Sequence, residues 1–432
     1  MQVSIGYLLI VTLISLTNSS SVPRNLQRQG TSFIDSKTKV KVILDGVDVV
    51  VKGPPYLPYT NGTLPCFVIE MLNKPGCEDS GNCNYCTSFN DLDLEFFVKN
   101  KWNAIRLGVV WAGAQPTEEN KLDETFLKQL HDILDLTDKY NMHVILDNHG
   151  DMVGSAGCGN GAPMWIQKKV AGDLLGKPLK TDFPYNLFVD VKKVNGYDLC
   201  GNDKELWERF AGDPNYNILN PCCQILNSEL GNINPAGLGF TTISQATNSF
   251  IFNEGKHYFV NFWRLMAEAV KNHPSASLME FSNEPMYIYR HQMYEVWREI
   301  SEAVNEVIPD MLVSLIDPFQ ALLLPYWVKT ISPNIDIKKE TIEWIKKSKT
   351  VYYAVHYLGD RGVLDEAIEA ALSLQKEWNV PIIITEYDRS YRKAYLKHEF
   401  SLTAWRYGEY CNTGNRFRNI KDKVTFGACI LG

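Results

Sequence analysis

Two glutamates follow short apolar segments and could act together in acid–base chemistry. Glu284 stands in the segment MEFSNEP, and Glu386 stands in IIITEYD. Such a pair suits cleavage of a glycosidic bond, because one carboxyl group donates a proton to the leaving oxygen while the other attacks the anomeric carbon. Different surroundings can push the two pKa values apart, so that one group is protonated and the other ionised. If the second carboxylate attacks in this way, the chemistry is retaining, and we expect the two carboxyl groups about 5–5.5 Å apart in the folded chain.

Seven further polar or aromatic residues stand within or just after other apolar segments. They are Arg106, His149, Asp151, Asn283, His356, Tyr357 and Trp405. Taken singly, a histidine after a strand is usually a structural hydrogen-bonding residue, and a tryptophan usually packs in the core. Together they are more informative, because residues at the carboxyl ends of parallel barrel strands converge on one mouth. The set therefore predicts side chains that surround a sugar next to the two glutamates.

Eight short apolar segments predict the strands that position these side chains. They cover residues 42–53, 104–110, 142–146, 278–281, 311–316, 351–355, 381–385 and 400–405. Apolar residues at helical spacing lie between most of them, as in residues 123–140 and 250–270. Short strands that are buried on both faces indicate a parallel sheet. Eight strand–helix units predict a (β/α)₈ TIM barrel, with a doubly wound open sheet as the alternative.

Two long insertions, residues 54–90 and 150–249, interrupt this pattern. Both are far longer than the usual connection between a strand and a helix. Each follows a strand, so each is expected at the C-terminal mouth of the barrel, where long loops build substrate walls or lids. We therefore expect Trp165, and the loop that contains Cys77 and Cys86, on the mouth side. The alternative is a surface decoration without a substrate role.

Composition and the amino terminus bear on partners and compartment. The 432-residue chain has 43 basic and 50 acidic residues, a net charge of −7, and no basic block, which argues against a nucleic-acid partner. Residues 5–16 form an apolar run too short to span a bilayer. This run favours a signal peptide over residues 1–22, a catalytic domain over 23–432, and a secreted or lumenal location. A buried N-terminal helix is the alternative.

The cysteines agree with an oxidising compartment, as does a glycosylation sequon at Asn61. The chain has ten cysteines, of which Cys77, Cys83 and Cys86 are close in sequence. A loop pinned by a disulfide fits these three better than zinc, because no second well-spaced Cys/His pair follows. The vicinal Cys222 and Cys223 are each expected to reach a distant cysteine, because pairing with each other would be strained.

The order of motifs along the chain resembles glycoside hydrolase family 5. An apolar strand followed by NEP is succeeded by HY, by ITEY and by a final tryptophan. The resemblance implies a (β/α)₈ barrel that hydrolyses glycosidic bonds with net retention. It implies that Glu284 is the acid/base and Glu386 the nucleophile. The remaining site residues take substrate-binding roles by the same resemblance: Asn283 at the sugar 2-hydroxyl, His149 and His356 along the reacting subsite, and Trp405 as a stacking platform.

Within this family, residues 145–165 (ILDNHGDMVGSAGCGNGAPMW) resemble a stretch of the endoglycoceramidases. The shared features are a His, an Asp two residues later and a Gly-Ala-Pro-x-Trp, and Lys52 matches a substrate-binding lysine of that group. These enzymes release an intact oligosaccharide from the ceramide of a glycosphingolipid. The resemblance thus implies a glycolipid or oligosaccharide substrate and peripheral contact with a membrane. The chain departs from the group at Gly150, where Gln is usual, and little or no C-terminal β-sandwich is expected after the barrel.

Three other interpretations stay open. The barrel could be an endo-β-glucanase or a related family 5 polysaccharide hydrolase; an open, aromatic-lined groove would favour this, whereas an apolar mouth would favour a lipid. It could also be a catalytically silent sugar-binding barrel, although both carboxylates are present. A metal could be held by His149, Asp151 and His356, but the two glutamates account for the mouth without one. We expect neither a metal nor a cofactor.

Overall fold

The structure is a computed structural model that describes most of the barrel and parts of both insertions. The described residues are 24–51, 56–60, 89–150, 154, 156, 161–174, 242–285, 287, 289–317, 337–357, 361–387 and 389–404. Several predictions concern residues outside these ranges: the signal peptide, the Asn61 sequon, Lys52, Asp151, Trp405, all ten cysteines, and the residues after 404, where a β-sandwich was not expected.

Eight parallel strands close into a barrel, in the order of the sequence. The barrel strands are β4 (Asp45–Val49), β5 (Ala104–Gly108), β6 (His143–Asp147), β7 (Ala276–Glu280), β8 (Leu312–Leu315), β9 (Val351–Tyr357), β10 (Ile382–Tyr387) and β11 (Ser401–Ala404). The last strand pairs with the first, Leu402 lying opposite Asp45. The prediction of a (β/α)₈ barrel is confirmed. The open-sheet alternative is wrong, because the first and last strands pair with each other.

Amphipathic helices surround the barrel. The described helices are α1 (Asp91–Lys99), α2 (Trp111–Ala114), α3 (Glu124–Lys139), α4 (Met164–Ala171), α5 (Thr242–Ile251), α6 (Lys256–Val270), α7 (Arg290–Val307), α8 (Lys339–Lys347), α9 (Leu364–Trp378) and α10 (Arg392–Lys397). In α3, the side chain of Asp123 accepts from the backbone N–H of Phe126 and caps the first turn. The buried stripe of α3, which includes Leu130 and Leu134, has the helical spacing read from the sequence. None of the described helices is both long and apolar enough to cross a bilayer.

The helix predicted over residues 250–270 is two helices in the structure. Helix α5 ends at Ile251, and α6 begins at Lys256. Between them the backbone N–H of Gly255 donates to the carbonyl of Phe250 at 2.8 Å. A Cβ on Gly255 would lie 2.1 Å from the Phe250 ring, so the turn needs glycine there. The sequence-based prediction was wrong at this point because apolar residues continue at helical spacing across the turn.

The N-terminal end of the barrel, here called the floor, is covered by a sheet that the sequence analysis did not predict. Strands β1 (Leu26–Gln29), β2 (Ser32–Asp35) and β3 (Lys41–Val42) form it, and β1 and β2 make an antiparallel hairpin. Phe33 of β2 packs edge-on against Tyr352 of β9, with ring centroids 6.2 Å apart. The hairpin thereby keeps water from the lower barrel core.

The described parts of both insertions lie at the opposite, C-terminal end, the mouth. Helix α2 follows β5 at this end, and the backbone N–H of Ala112 in α2 donates to the carbonyl of Gly161. Trp165 packs edge-on against Trp111, and its indole N–H donates to the carbonyl of Gln115 at 3.0 Å. Tyr56, from the first insertion, packs so closely on α2 that a Cβ on Gly113 would meet its ring. Trp165 therefore lies on the mouth side, as predicted.

Candidate active site

A fully buried arginine, Arg106 on β5, organises the mouth. Its Nη1 donates to Glu386 Oε1 at 2.8 Å and to Asp48 Oδ2 at 3.3 Å. Its Nε and Nη2 donate to the two carboxylate oxygens of Glu280, at 3.2 and 2.8 Å. Nη2 also lies 3.0 Å from Asp147 Oδ2. Four carboxyl groups from four different strands thus meet one guanidinium that has no contact with water.

A β-bulge in β10 turns Glu386 into this cluster. Ile384 pairs with Val355, but Glu386 pairs with His356, so Thr385 is an extra residue on the β10 side. Side chains normally alternate between the two faces of a strand, and a bulge breaks that alternation. The Thr385 hydroxyl donates to Glu280 Oε1 at 3.4 Å, and Glu386 binds Arg106, so both neighbours face the interior. The bulge is therefore what aims the predicted nucleophile at the mouth.

The two predicted catalytic glutamates meet on either side of His356. Its Nδ1 lies 3.1 Å from Glu284 Oε1 and 3.6 Å from Glu386 Oε2. One oxygen of each carboxylate and one ring nitrogen all lie within 4.8 Å of one another. This fits the separation of about 5–5.5 Å in retaining glycosidases and is too short for the roughly 6.5–9.5 Å of inverting ones.

The two glutamates differ in exposure as their predicted roles require. The side chain of Glu284 is 40% exposed, whereas that of Glu386 is 5% exposed. An exposed carboxyl group can reach a leaving oxygen and then a water molecule. A buried one that Arg106 holds at Oε1 has a fixed orientation for attack on a bound sugar. The roles of both residues stay predictions that the geometry fits.

His356 is the second cation of the site. Burial alone would lower its pKa, but Glu386 and hydrogen bonds to Glu280 and Glu284 outweigh burial and raise the pKa to about 10. The ring is therefore an imidazolium at neutral pH, with Nδ1–H directed to Glu284. Such a donor stabilises the ionised form of Glu284, which is the form that exists after proton transfer to the leaving group.

The other three carboxyl groups around Arg106 respond differently to burial. Burial raises the pKa values of Asp48 and Asp147 well above their usual range. Glu280 is also buried, but Arg106 and His356 together hold its pKa below the usual value. The two cations, Arg106 and His356, thus face buried carboxyl groups that differ in how readily they ionise. A buried cluster of this kind is stable only if it is close to neutral.

Asn283 and His149 complete the set around Arg106. Arg106 Nη2 donates to Asn283 Oδ1 at 2.7 Å, which leaves the amide nitrogen to point away from the arginine. An amide held in this way suits a donor to a sugar hydroxyl, as the resemblance implies. His149 is buried, with Nδ1 2.6 Å from Asp147 Oδ2 and 3.4 Å from Arg106 Nη1.

Tyr357 differs from the other predicted site residues that the structure describes. It follows His356 on β9, so its side chain leaves the opposite face of the strand. Its ring packs against Tyr391, with centroids 5.9 Å apart. Five of the predicted residues thus lie together around Arg106, either in contact with it or, for Glu284, through His356. These five are His149, Asn283, Glu284, His356 and Glu386, and Tyr357 is not among them. A substrate role for Tyr357 stays a prediction.

The sequence analysis missed three buried acids that bind Arg106, namely Asp48, Asp147 and Glu280. Each lies in a barrel strand, and each is fully buried. Charged residues are rarely buried unless they are paired, so a lone Asp or Glu inside an apolar strand is itself a signal. That signal was present in MEFSNEP and ILDNHGD, where only the residues after the strands were singled out.

A cavity with both polar and apolar lining opens beside Glu284. It offers about 40 Å³ to a water-sized molecule, within a wider cleft that is open to solvent. Its lining residues are Trp111, Asn148, Gly150, Gly161, Ala162, Asn248, Ile251, Phe252, Phe259, Ser282, Glu284 and Pro285. The described parts of the second insertion thus form a wall next to the predicted acid/base. A Cβ on Gly150 would lie 2.6 Å from Gly161 Cα, which explains why this chain has no Gln at that position.

The spacing of Glu284, His356 and Glu386 also matches a metal site. A histidine binds a metal ion only as neutral imidazole, because the ligating nitrogen must carry a lone pair. The raised pKa of His356 opposes that role at neutral pH. The alternative metal set of the sequence analysis includes Asp151, which lies outside the described residues.

Comparison with known proteins finds similarity to glycoside hydrolases. Residues 77–181 match the model of the cellulase family, glycosyl hydrolase family 5, a stretch that ends before both predicted catalytic glutamates. The chain is 31% identical over 142 residues to an endoglycoceramidase of Cyanea nozakii, covering 33% of this chain and 24% of that protein. It is 24% identical over 270 residues to an endoglycoceramidase of Hydra vulgaris, covering 60% of this chain and 42% of that protein. The chain therefore matches less than half the length of these relatives.

Solved structures share the barrel. The crystal structure of an endogalactoceramidase has a TM-score of 0.56 at 11% identity, over 90% of this chain and 76% of that one. Endo-glycoceramidase II from Rhodococcus sp., in an iminocyclitol complex, has a TM-score of 0.52 at 14% identity, over 91% and 80%. At such identities the structures establish the fold alone. Together with the sequence matches, they confirm that the chain resembles the endoglycoceramidases of glycoside hydrolase family 5.

Proposed function

We propose that this protein is a retaining β-glycosidase that releases an intact oligosaccharide from the ceramide of a glycosphingolipid. The observation that supports it most directly is the position of Glu284 and Glu386 on either side of His356, within 4.8 Å. The similarity to endoglycoceramidases supplies the substrate class. The chain matches less than half the length of the curated relatives, so the activity of the whole protein is our proposal.

In the first step, Glu386 attacks the anomeric carbon and Glu284 protonates the oxygen that leaves with ceramide. Arg106 holds Glu386 Oε1 at 2.8 Å, which fixes the rotation of the nucleophile. His356 then stabilises the new carboxylate of Glu284. In the second step that carboxylate takes a proton from water, and the water attacks the glycosyl-enzyme from the face that ceramide has left.

The cavity beside Glu284 favours a lipid leaving group over a second sugar. The acid/base lies on the leaving-group side of the bond it cleaves, and the cavity wall there includes Ile251, Phe252 and Phe259. An apolar wall of this kind suits the first carbons of a ceramide. The match of residues 77–181 to the cellulase family favours β-glucan as the second candidate substrate.

One assay separates the two substrates. The protein is incubated with a ganglioside and, separately, with a soluble β-glucan, and free oligosaccharide, ceramide and reducing ends are measured. We expect oligosaccharide and ceramide from the ganglioside in equal amounts, with the β-anomer formed first in an NMR time course. Cleavage of the glucan alone would reverse the substrate assignment, and initial release of the α-anomer would refute retention.

We further propose secretion and peripheral contact with a membrane. The apolar run at residues 5–16 supports a leader, to be tested by N-terminal sequencing of protein recovered from culture medium. A half-buried aromatic group of Trp165, Phe250 and Tyr258 lies beside the exposed Lys168 and Lys169, and Lys169 Nζ is 5.4 Å from the Tyr258 ring. Aromatic rings and lysines suit a lipid headgroup region. Sedimentation with anionic vesicles should fall when both lysines are changed to Glu.

A further inference from the structure

Glu280 has no counterpart in the two-carboxylate mechanism, yet it makes the most complete contact with Arg106. Both of its oxygens accept from the guanidinium, at 3.2 and 2.8 Å, and its side chain is fully buried. This paired geometry is the strongest form of a carboxylate–arginine interaction, and it fixes the plane of the guanidinium. The Thr385 hydroxyl donates to the same carboxylate. Glu280 is therefore held in place from a second strand.

The other donors of Arg106 serve two residues of the proposed mechanism. With Nε and one hydrogen of Nη2 directed to Glu280, Nη1 reaches Glu386 Oε1 and Nη2 reaches Asn283 Oδ1. A rotated or shifted guanidinium could not keep both of these contacts. The orientation of the nucleophile and that of the amide that faces the sugar are therefore set by one cation, which Glu280 orients.

We infer that Glu280 is a positioning residue that, through Arg106, holds Glu386 and Asn283 in their reactive orientations. The inference rests on the proposed glycosidase function. A purely structural role would require only that a buried acid neutralise Arg106. The chain provides a matched control for that case: Asp48 also binds Arg106, at 3.3 Å, through a single oxygen on the same fully buried cluster.

The test compares Glu280→Gln with Asp48→Asn, each of which removes a carboxyl group without changing the shape of the side chain. We expect kcat of Glu280→Gln to fall up to about 100-fold, as for a small displacement of reacting groups. The Asp48→Asn loss should stay near fivefold, the size of one ordinary hydrogen bond. In Glu280→Gln, loss of the Glu280 charge makes Glu386 easier to ionise, whereas loss of the Arg106 contact makes it harder, so the pH profile is read from a variant that keeps the charge. Equal losses of kcat in Glu280→Gln and Asp48→Asn would overturn the inference.

A second readout tests the link to Asn283. If Glu280 acts through Arg106, then Glu280→Gln already misplaces the amide, and adding Asn283→Ala should cost much less than it does alone. Full additivity of the two changes in kcat/KM would contradict this coupling. Glu280→Asp keeps the charge but is one methylene too short for two contacts, so Arg106 should move away from Glu386, activity should fall, and the acid limb of kcat/KM should move to higher pH. An unmoved acid limb in Glu280→Asp would contradict the inference. This variant also serves if Glu280→Gln does not fold.

Crystal structures of Glu280→Gln and Glu280→Asp test the inference independently of activity. We expect the guanidinium of Arg106 to move, so that Nη1 leaves hydrogen-bonding distance of Glu386. If Arg106 keeps its present contacts with Glu386 and Asn283 in both variants, Glu280 does not position it. If the unchanged protein cleaves no glycoside, the proposed function fails, and these structures still decide the role of Glu280.

Discussion

The mouth and the floor of the barrel each bury an arginine, but they do so in opposite ways. Arg106 at the mouth binds four carboxyl groups, which outweigh the effect of burial and raise its pKa well above the usual value. Arg24 at the floor donates to four backbone carbonyls, those of Val270, Lys271, His273 and Ala276. Burial lowers the pKa of Arg24, and the nearby carboxylates of Asp310 and Asp138 offset this only in part.

The histidines of the two ends differ in the same sense. His356 at the mouth has a pKa raised to about 10, because neighbouring carboxylates outweigh burial. His143, at the floor end of β6, has a pKa lowered to about 4 by burial. The mouth thus concentrates interdependent charges, while the floor uses backbone dipoles and neutral groups. Interdependent charges are costly to bury, and the difference indicates that the mouth was organised for chemistry rather than for stability.

The largest expected effect is at the mouth. Glu386→Gln should lower kcat by about 10⁴-fold or more, because neither step can proceed without the nucleophile. The fold should persist, since an amide oxygen can still accept from Arg106. Azide added to Glu386→Ala should give the α-glycosyl azide, because azide then attacks in place of the carboxylate. NMR of the product identifies the anomer, and a β-azide would exchange the roles of the two glutamates.

Glu284→Ala should have the next largest effect, and its size should depend on the leaving group. Loss of a general acid costs about 10²–10⁴-fold when the leaving group needs a proton, as ceramide does. An activated phenol leaves without protonation and should be affected far less. Kinetics on a ganglioside and on an aryl glycoside of the same sugar measure this ratio, and azide should give the β-product. Equal losses on both substrates would remove Glu284 from the acid role.

At the floor, Arg24→Met should affect stability and leave catalysis intact. The four carbonyls would lose a buried partner, at a cost of about 1–3 kcal/mol in the free energy of unfolding. Denaturant titration measures this loss, and kcat per folded molecule should match that of the unchanged protein. A tenfold fall in kcat would show that the two ends are coupled, which would contradict a purely structural role for the floor.

The smallest expected effect concerns pH and has opposite signs at the two ends. His143 is neutral in the fold, so its contribution is present above pH 6.5 and is lost as the pH falls towards about 4. His356 is charged in the fold, so its contribution is present below pH 6.5 and is lost as the pH rises through about 10. The urea concentration at the midpoint of unfolding should therefore decrease towards both ends of this pH range. His143→Gln should flatten only the acid side of this profile, and His356→Gln only the alkaline side.

Local patterns explain why the barrel could be predicted from sequence. Short apolar strands alternating with amphipathic helices leave few arrangements that bury every strand on both faces. The NEP motif follows β7 and the ITEY motif forms the end of β10, so Glu284 and Glu386 could be assigned to the mouth from sequence. The N-terminal hairpin was missed because Leu26–Gln29 and Ser32–Asp35 are too short and too polar to give a strand pattern.

What the sequence alone determined is therefore the kind of fold and the candidates for the reacting residues, because both depend on periodicity and on the ends of strands. Only the tertiary structure decided how the residues meet. Arg106 and Glu386 are 280 positions apart, and their contact requires barrel closure and a bulge at Thr385. The tertiary structure also assigned the buried acids Asp48, Asp147 and Glu280 to one guanidinium. Charge in a dry interior depends on every neighbour at once, and no pattern along the chain records those neighbours.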